Sequence, residues 1–368
     1  MKITSTKENL LEGMQIVQAA VSTRTTLAIL HNFLMEAADS RIKIVRTDLE
    51  MATTHYINAE VVEPGSVTIP AKEFTDILHL LPGDNEITIY SDSGNKVHIV
   101  CGKSKFWLMG APKEEYPLVP DMGKSDLIEL PAALIQNMVQ KTIFAASVQE
   151  TRYVLNGILW MSGKEGLEMV ATDGRRLALA RSAETKAGKE FKIIVPTKIL
   201  HEFLRFLSIN KPEEKEAVTI GIATNQIGFQ MRQTTLISRL IEGNFPNYEQ
   251  VIPSKRDIVF EIENGPLLEV TRRAALCAGD RGAVKYQMKT GVLAVTAVSP
   301  KMEFQDEIKT GYSGADFHVS FNPQYVIDVL KNMPAQKVAV GMTNSLNPVV
   351  LEPAGAADSR YVIMPVRS

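Results

Sequence analysis

The chain has 368 residues, 45% apolar and 22% charged, with a formal net charge of −2. That balance excludes a disordered chain and a uniformly basic nucleic-acid binder. The length exceeds what one ordinary core fills and calls for two or three domains of about 100–150 residues each.

The first residues, MKITSTKENLLEG, alternate polar and apolar and carry charge where a signal peptide needs an unbroken apolar run. The longest uncharged stretch, AVTIGIATNQIGFQM, is interrupted by Thr, Asn and Gln and is too short to span a bilayer. The expectation is a cytoplasmic protein without a membrane segment. After this opening strand, KENLLEGMQIVQAAVS repeats apolar residues every three to four positions and predicts a helix. FLMEAAD, RIKIVRT, MATTHYINAEV and SVTIP then alternate on a period of two, as strands do. A second helix is predicted in IPAKEFTDILHLL, followed by strands EITIYSD, KVHIVCG and KFWLMGA.

The same order then recurs. IPAKEFTDILHLL from Ile69 aligns with VPTKILHEFLRFL from Val195 and with FNPQYVIDVLKNM from Phe321, at an offset of 126 residues both times. Each has an apolar strand ending at or beside a proline, then a helix; proline suits a first helical turn, where its missing N–H costs nothing. The helix from Lys7 likewise has counterparts in PAALIQNMVQKTIFAAS from Pro131 and GPLLEVTRRAALCA from Gly265. Each unit reads β-α-β-β-β-β-α-β-β-β. The expected fold class is α+β, with three repeated domains at 1–121, 126–252 and 254–368, each two helices on one face of largely antiparallel sheets. Segments rich in proline and charge, KEEYPLVPDMGKSD and GNFPNYEQVIPSKRD, close the first two units.

Charge divides unevenly along this pattern. The helical stretches 7–24, 71–82, 131–146, 197–211, 266–285 and 323–333 together carry +4, which leaves −6 for strands and loops. If the helices share a face, that face attracts phosphate without reading sequence; ordinary solvated helix surfaces would look the same. Aromatic platforms for single strands are sparse on these helices.

Catalytic signals are lacking. No phosphate-binding glycine motif and no Gly-x-Ser-x-Gly elbow occurs. The 2 cysteines and 6 histidines have no metal or redox spacing, so neither a metal nor a cofactor is expected. VATDGRRLALAR (170–181) clusters a carboxylate, a glycine and two guanidinium groups, yet Asp173-Gly174 between two alternating stretches is most simply a hairpin turn.

ATDGRRLA, NFPNYEQVIP and the terminal YVIMPVR, with the threefold repeat, resemble the β subunit of bacterial DNA polymerase III, the sliding-clamp family. The resemblance implies a head-to-tail homodimeric ring around double-stranded DNA, non-catalytic, that tethers the polymerase III core and other polymerases and is opened by a clamp loader. Mismatch-repair and initiation-control proteins are further implied partners. It also implies a partner-peptide pocket at Leu155, Thr172, Gly174, Arg175, Arg176, Leu177, Pro246, Val251, Val362, Met364, Pro365, Val366 and Arg367; plain core packing is the alternative for Leu155, Leu177 and Val251. DNA contacts are implied at Arg24, Lys72, Gln149, Tyr153 and Lys198, and helix position alone adds Arg205. The implied ring joint sets Phe106 and Leu108, on an edge strand, against Leu276 and Cys277. The family often has His at Arg175, an Arg pair at Glu249-Gln250 and Ser near Pro348, so the pocket's charge departs from the pattern. A non-ring scaffold built from the same repeats and a metabolic enzyme with a deep pocket are the rival readings.

Overall fold

A computed structural model describes all residues except 19–26, 84, 124, 186–187, 280–281 and 367–368. The six helices are α1 (Lys7–Val17), α2 (Ala71–Leu80), α3 (Ala132–Thr142), α4 (Thr197–Asn210), α5 (Asn264–Ala278) and α6 (Pro323–Asn332). Their starts follow from local chemistry. Thr6 accepts a hydrogen bond from Asn9 N ahead of α1, and Asn322 accepts one from Gln324 N ahead of α6, each satisfying an amide that has no partner within its helix. Pro323 sits in the first turn of α6, whereas Pro70, Pro131 and Pro196 instead end the strands preceding α2, α3 and α4.

The second and third repeats show the expected strand-helix order, and every strand pairing among the described residues is antiparallel. The first repeat differs. MATTHYINAEV is two strands, Met51–Asn58 and Glu60–Glu63, which turn into different sheets around Ala59.

The chain divides into two compact units, and the division cuts through the second repeat. Unit 1 comprises residues Met1–Ala133 and Lys198–Leu240; unit 2 comprises Leu134–Thr197 and Ile241–Ser368. The cause is strand pairing between repeats. In unit 1 an eight-stranded sheet runs Asp126–Pro131, Ala217–Ile222, Gln226–Met231, Thr234–Arg239, Met51–Asn58, Arg41–Thr47, Asn32–Ala38, Gly65–Pro70. Its central seam joins Leu236 to Thr53 and Ile237 to Ala52. In unit 2 the order is Phe191–Pro196, Gly157–Gly163, Gly166–Thr172, Arg176–Ser182, Ser359–Ile363, Val349–Pro353, Lys337–Met342, Ile258–Glu263. There Leu177 pairs with Val362 and Arg176 with Ile363.

Each unit also has a smaller sheet. Unit 1 carries Glu60–Glu63, Lys2–Ser5, Ile87–Ser91, Lys96–Cys101 and Ser104–Met109; unit 2 carries Met302–Lys309, Val292–Ser299, Val284–Lys289 and Phe317–Phe321. Helix α1 packs on α2 and on Met51–Asn58, where a Cβ on Gly13 would lie 2.3 Å from Ile57 Cδ1; the glycine lets helix and sheet approach. In unit 2, α5 packs on α6 and on strands Val292–Ser299 and Met302–Lys309. No helix among the described residues is long and apolar enough to cross a membrane.

Candidate functional site

The hairpin of unit 2 is built by its own side chains. Asp173 Oδ1 accepts hydrogen bonds from Arg175 N at 2.8 Å and Arg176 N at 3.0 Å, while Thr172 Oγ1 accepts from Gly174 N at 3.0 Å and donates to Arg176 O at 2.6 Å. Gly174 has φ +84°, a left-handed conformation that glycine adopts without strain. These four bonds satisfy the turn internally, so Asp173 is structural.

The two arginines separate. Arg175 is exposed and its side chain has no ion-pair partner among the described residues. Arg176 turns inward: its side chain is 12% exposed, with Nε 3.1 Å from Asp173 Oδ2, Nη1 2.5 Å from Asp328 Oδ2 and Nη2 2.5 Å from Phe144 O. Its guanidinium also lies over the rings of Tyr325 and Phe144, at 4.7 and 5.5 Å. Arg176 therefore ties the hairpin to α6 and to the turn after α3. Its side chain is engaged within the fold.

Beside the hairpin, Met364 N donates to Arg175 O at 2.9 Å and Val366 N to Ser320 O at 2.8 Å, which fixes the C-terminal segment along one side. The floor is a buried apolar cluster that includes Leu159, Val170, Leu177, Ile194 and Val362, with Val154, Phe245, Tyr248 and Ile252 packed against it. Leu177 belongs to this cluster, Leu155 is buried at 9% exposed, and Val251 is exposed at 44%. Met364 and Val366 are also exposed, as is Pro246, and Pro365 is half-buried. An apolar floor with apolar rims and one free cation suits a peptide that buries one or two large side chains. Arg367 lies outside the described residues.

Four supporting side chains escape sequence reading. Tyr248 donates a hydrogen bond to Glu168, whose other oxygen accepts from Arg181 Nη2 at 2.6 Å. Burial and the Glu168 carboxylate push the Tyr248 phenol well above its ordinary value, so it stays protonated and holds segment 245–252 on the hairpin strands. Arg152 Nη1 donates to Asp173 O at 2.8 Å from the other side. Tyr248 and Arg152 lie 80 and 21 residues from their partners, beyond any local pattern, whereas Arg181 faces Glu168 across the hairpin.

Residues 1–120 match the N-terminal domain of the DNA polymerase III beta subunit, residues 129–247 its central domain and residues 249–367 its C-terminal domain. The chain belongs to the DNA polymerase III β-subunit family. The beta sliding clamp of Escherichia coli K12 is 32% identical over 370 residues, covering 100% of both chains, and that of Pseudomonas putida is 32% identical over 371 residues with equal coverage. The crystal structure of the Bacillus subtilis DNA polymerase sliding clamp has a TM-score of 0.94 at 27% identity, covering 100% of this chain and 99% of its own. This family is the non-catalytic, sliding-clamp subunit of the polymerase.

For a β subunit the helices are the candidate DNA-facing elements, and the observed bounds change the charge argument. Within them there are eight basic and seven acidic residues, a net +1, because Lys211 and Lys285 lie past helix ends and Arg24, Asp280 and Arg281 lie outside the described residues. Lys72, Gln149 and Tyr153 are exposed, as DNA contacts must be. Lys198 pairs with Asp48 and, at 3.4 Å, with Glu50; burial lowers its affinity for the proton, but the two carboxylates outweigh this and raise it. Arg205 is committed to the fold. Its guanidinium donates to Gln15 O at 2.9 Å and Ile16 O at 2.8 Å, capping the C-terminus of α1, and to Glu202 at 3.0 Å. Capping this helix end is the role its hydrogen bonds show.

At the implied joint, Phe106 is 40% exposed and Leu108 half-buried on the edge strand Ser104–Met109, and Leu276 is 76% exposed. Cys277 is 4% exposed, and its thiol faces Met302 O at 3.0 Å and Ala297 O at 3.2 Å. The 3.6-residue period turns consecutive helical residues about 100° apart, so Leu276 faces out where Cys277 faces in. Among the described residues no three His, Cys, Asp or Glu side chains are placed to hold a metal ion.

Proposed function

We propose that two copies of this chain, with domains at 1–121, 126–252 and 254–368, close head to tail into a ring around duplex DNA. The full-length match to all three family domains carries the reading. The ring slides because it holds DNA by linkage rather than by base contacts, and the exposed Lys72, Gln149 and Tyr153, with Lys198, meet phosphate weakly and through water. An ATP-driven loader opens it. Polymerase III core, other polymerases, mismatch-repair proteins and initiation-control proteins each present a short peptide to the unit 2 pocket, where apolar side chains enter above Leu177 and Val362 beside Met364.

The joint joins two sheet edges. Ser104–Met109 and Met302–Lys309 each end a sheet and expose unpaired backbone. The first has Lys105 with Lys103 just before it, the second Glu303, Asp306 and Glu307 against Lys309, so antiparallel addition brings mainly opposite charges together. Phe106, Leu108 and Leu276 supply its apolar contact; buried Cys277 supports Leu276 from behind.

Retention on circular and linearised DNA after loading tests the reading. The chain should stay on the circle and run off free ends; equal loss from both overturns it, and a stable monomer at micromolar concentration favours the scaffold rival.

A further inference from the structure

The unit 2 pocket has a counterpart in unit 1 at a spacing of 125 residues. TDGRRL (172–177) corresponds to TDLEMA (47–52), and the turns carry the same bonds. Thr47 Oγ1 donates to Met51 O at 2.7 Å and accepts from Leu49 N at 3.1 Å; Asp48 Oδ1 accepts from Glu50 N at 3.1 Å and Met51 N at 3.0 Å. The flanking strand is held alike, with Arg239 N donating to Glu50 O at 3.0 Å where Met364 N donates to Arg175 O in unit 2. Beneath lies a matching apolar cluster, Leu34, Val45 and Tyr116, each 125 residues before Leu159, Val170 and Ile241.

Over this cluster opens a cleft of about 490 Å³ whose lining includes Leu49, Leu118, Val119 and Arg239. Leu118 is 99% exposed and Leu49 47%. Leu49 occupies φ +78°, where unit 2 has Gly174 at +84°, so an apolar side chain is held at the mouth in a conformation leucine rarely adopts. The mouth carries two cations and two carboxylates, unevenly paired. Lys198 serves both Asp48 and Glu50, whereas the exposed Arg239 guanidinium has no partner among the described residues. The free cation thus stands at the place of Met364, on the wall opposite that of Arg175.

We propose that the unit 1 cleft is a second docking site, for an extended acidic peptide of a partner protein. An apolar side chain seats between Leu49 and Leu118, and a carboxylate pairs with Arg239, whose planar fork matches it. The unit 2 pocket reading serves only as its template.

A fluorescein-labelled hexapeptide of leucine, phenylalanine and aspartate, titrated by anisotropy onto the full chain, tests this. Two sites per chain are expected. Arg239→Glu should weaken one by about tenfold or more, Met364→Ala the other, and an asparagine-for-aspartate peptide should lose the Arg239-dependent site. Because Arg239 and Leu118 are exposed, Arg239→Glu and Leu118→Asp should fold normally, and both should weaken the same site. Binding insensitive to both, or no Arg239-dependent site at all, overturns the proposal. Loss of the Met364-dependent site alone refutes the unit 2 reading and leaves this one standing.

Discussion

Replacing Arg176 by methionine removes one of the most heavily committed cations in unit 2. Its guanidinium satisfies Asp173, Asp328 and the Phe144 carbonyl while its side chain is 12% exposed, and the two carboxylates are themselves 18% and 20% exposed. Breaking a buried ion pair from one side costs about 3–5 kcal/mol when the remaining charge is stranded. Here Asp173 keeps two backbone N–H donors and Asp328 keeps Gln324 Nε2 at 2.6 Å, which places the loss nearer about 2–3 kcal/mol. In a Trp107→Phe background, Trp160, buried in the unit 2 sheet, reports urea unfolding of that unit. Arg176→Met should lower its midpoint, and adding Asp328→Asn should recover about 1–2 kcal/mol by removing the stranded charge. Arg175→Met, at an exposed and unpaired position, should change stability by less than about 0.5 kcal/mol. If Arg175 and Arg176 substitutions cost the same, or if Asp328→Asn shows no coupling, the division of labour between the two arginines is wrong.

Three further outcomes are expected. Burial holds His55 down to about 4 from its ordinary 6.5, with Nδ1 2.8 Å from Thr234 Oγ1, so the unfolded chain takes up this proton first as pH falls. Unit 1 should lose stability between about pH 6.5 and pH 4, by about 2 kcal/mol near pH 5 from this group; urea midpoints that fall equally in His55→Gln would exclude it as the cause. Met364→Ala should weaken docking of a polymerase-derived peptide by about 1–2 kcal/mol in calorimetry while light scattering still shows a dimer; dimer loss with unchanged affinity would mean the site is misplaced. Phe106→Glu puts charge into the proposed apolar seam and should yield monomers by light scattering, and a persisting dimer would place the joint elsewhere.

Much of the fold was legible because it rests on local rules. Alternation marked the strands, apolar spacing of three to four residues and the nearby prolines marked the helices, and the 126-residue recurrence marked three repeats. The legibility ended where a residue's neighbours come from distant segments. MATTHYINAEV alternates as one strand, yet its two ends pair in different sheets. Lys198 and Arg205 resemble free helix cations in sequence, but Asp48 and the carbonyls of α1 engage them from the first repeat. The pocket residues came from family resemblance; their division into floor, rim and support came from burial.

What the sequence by itself determined was the repeated unit, its α+β class and the turn at Asp173-Gly174, since period, capping and turn chemistry act over a few residues. Only the tertiary structure decided which strands cross between repeats, why the compact units do not follow the repeats, and which of two adjacent arginines faces solvent. Those outcomes depend on sheet edges and charges brought together from more than a hundred residues apart, as when Asp328, 152 positions downstream, draws Arg176 inward and leaves Arg175 facing solvent.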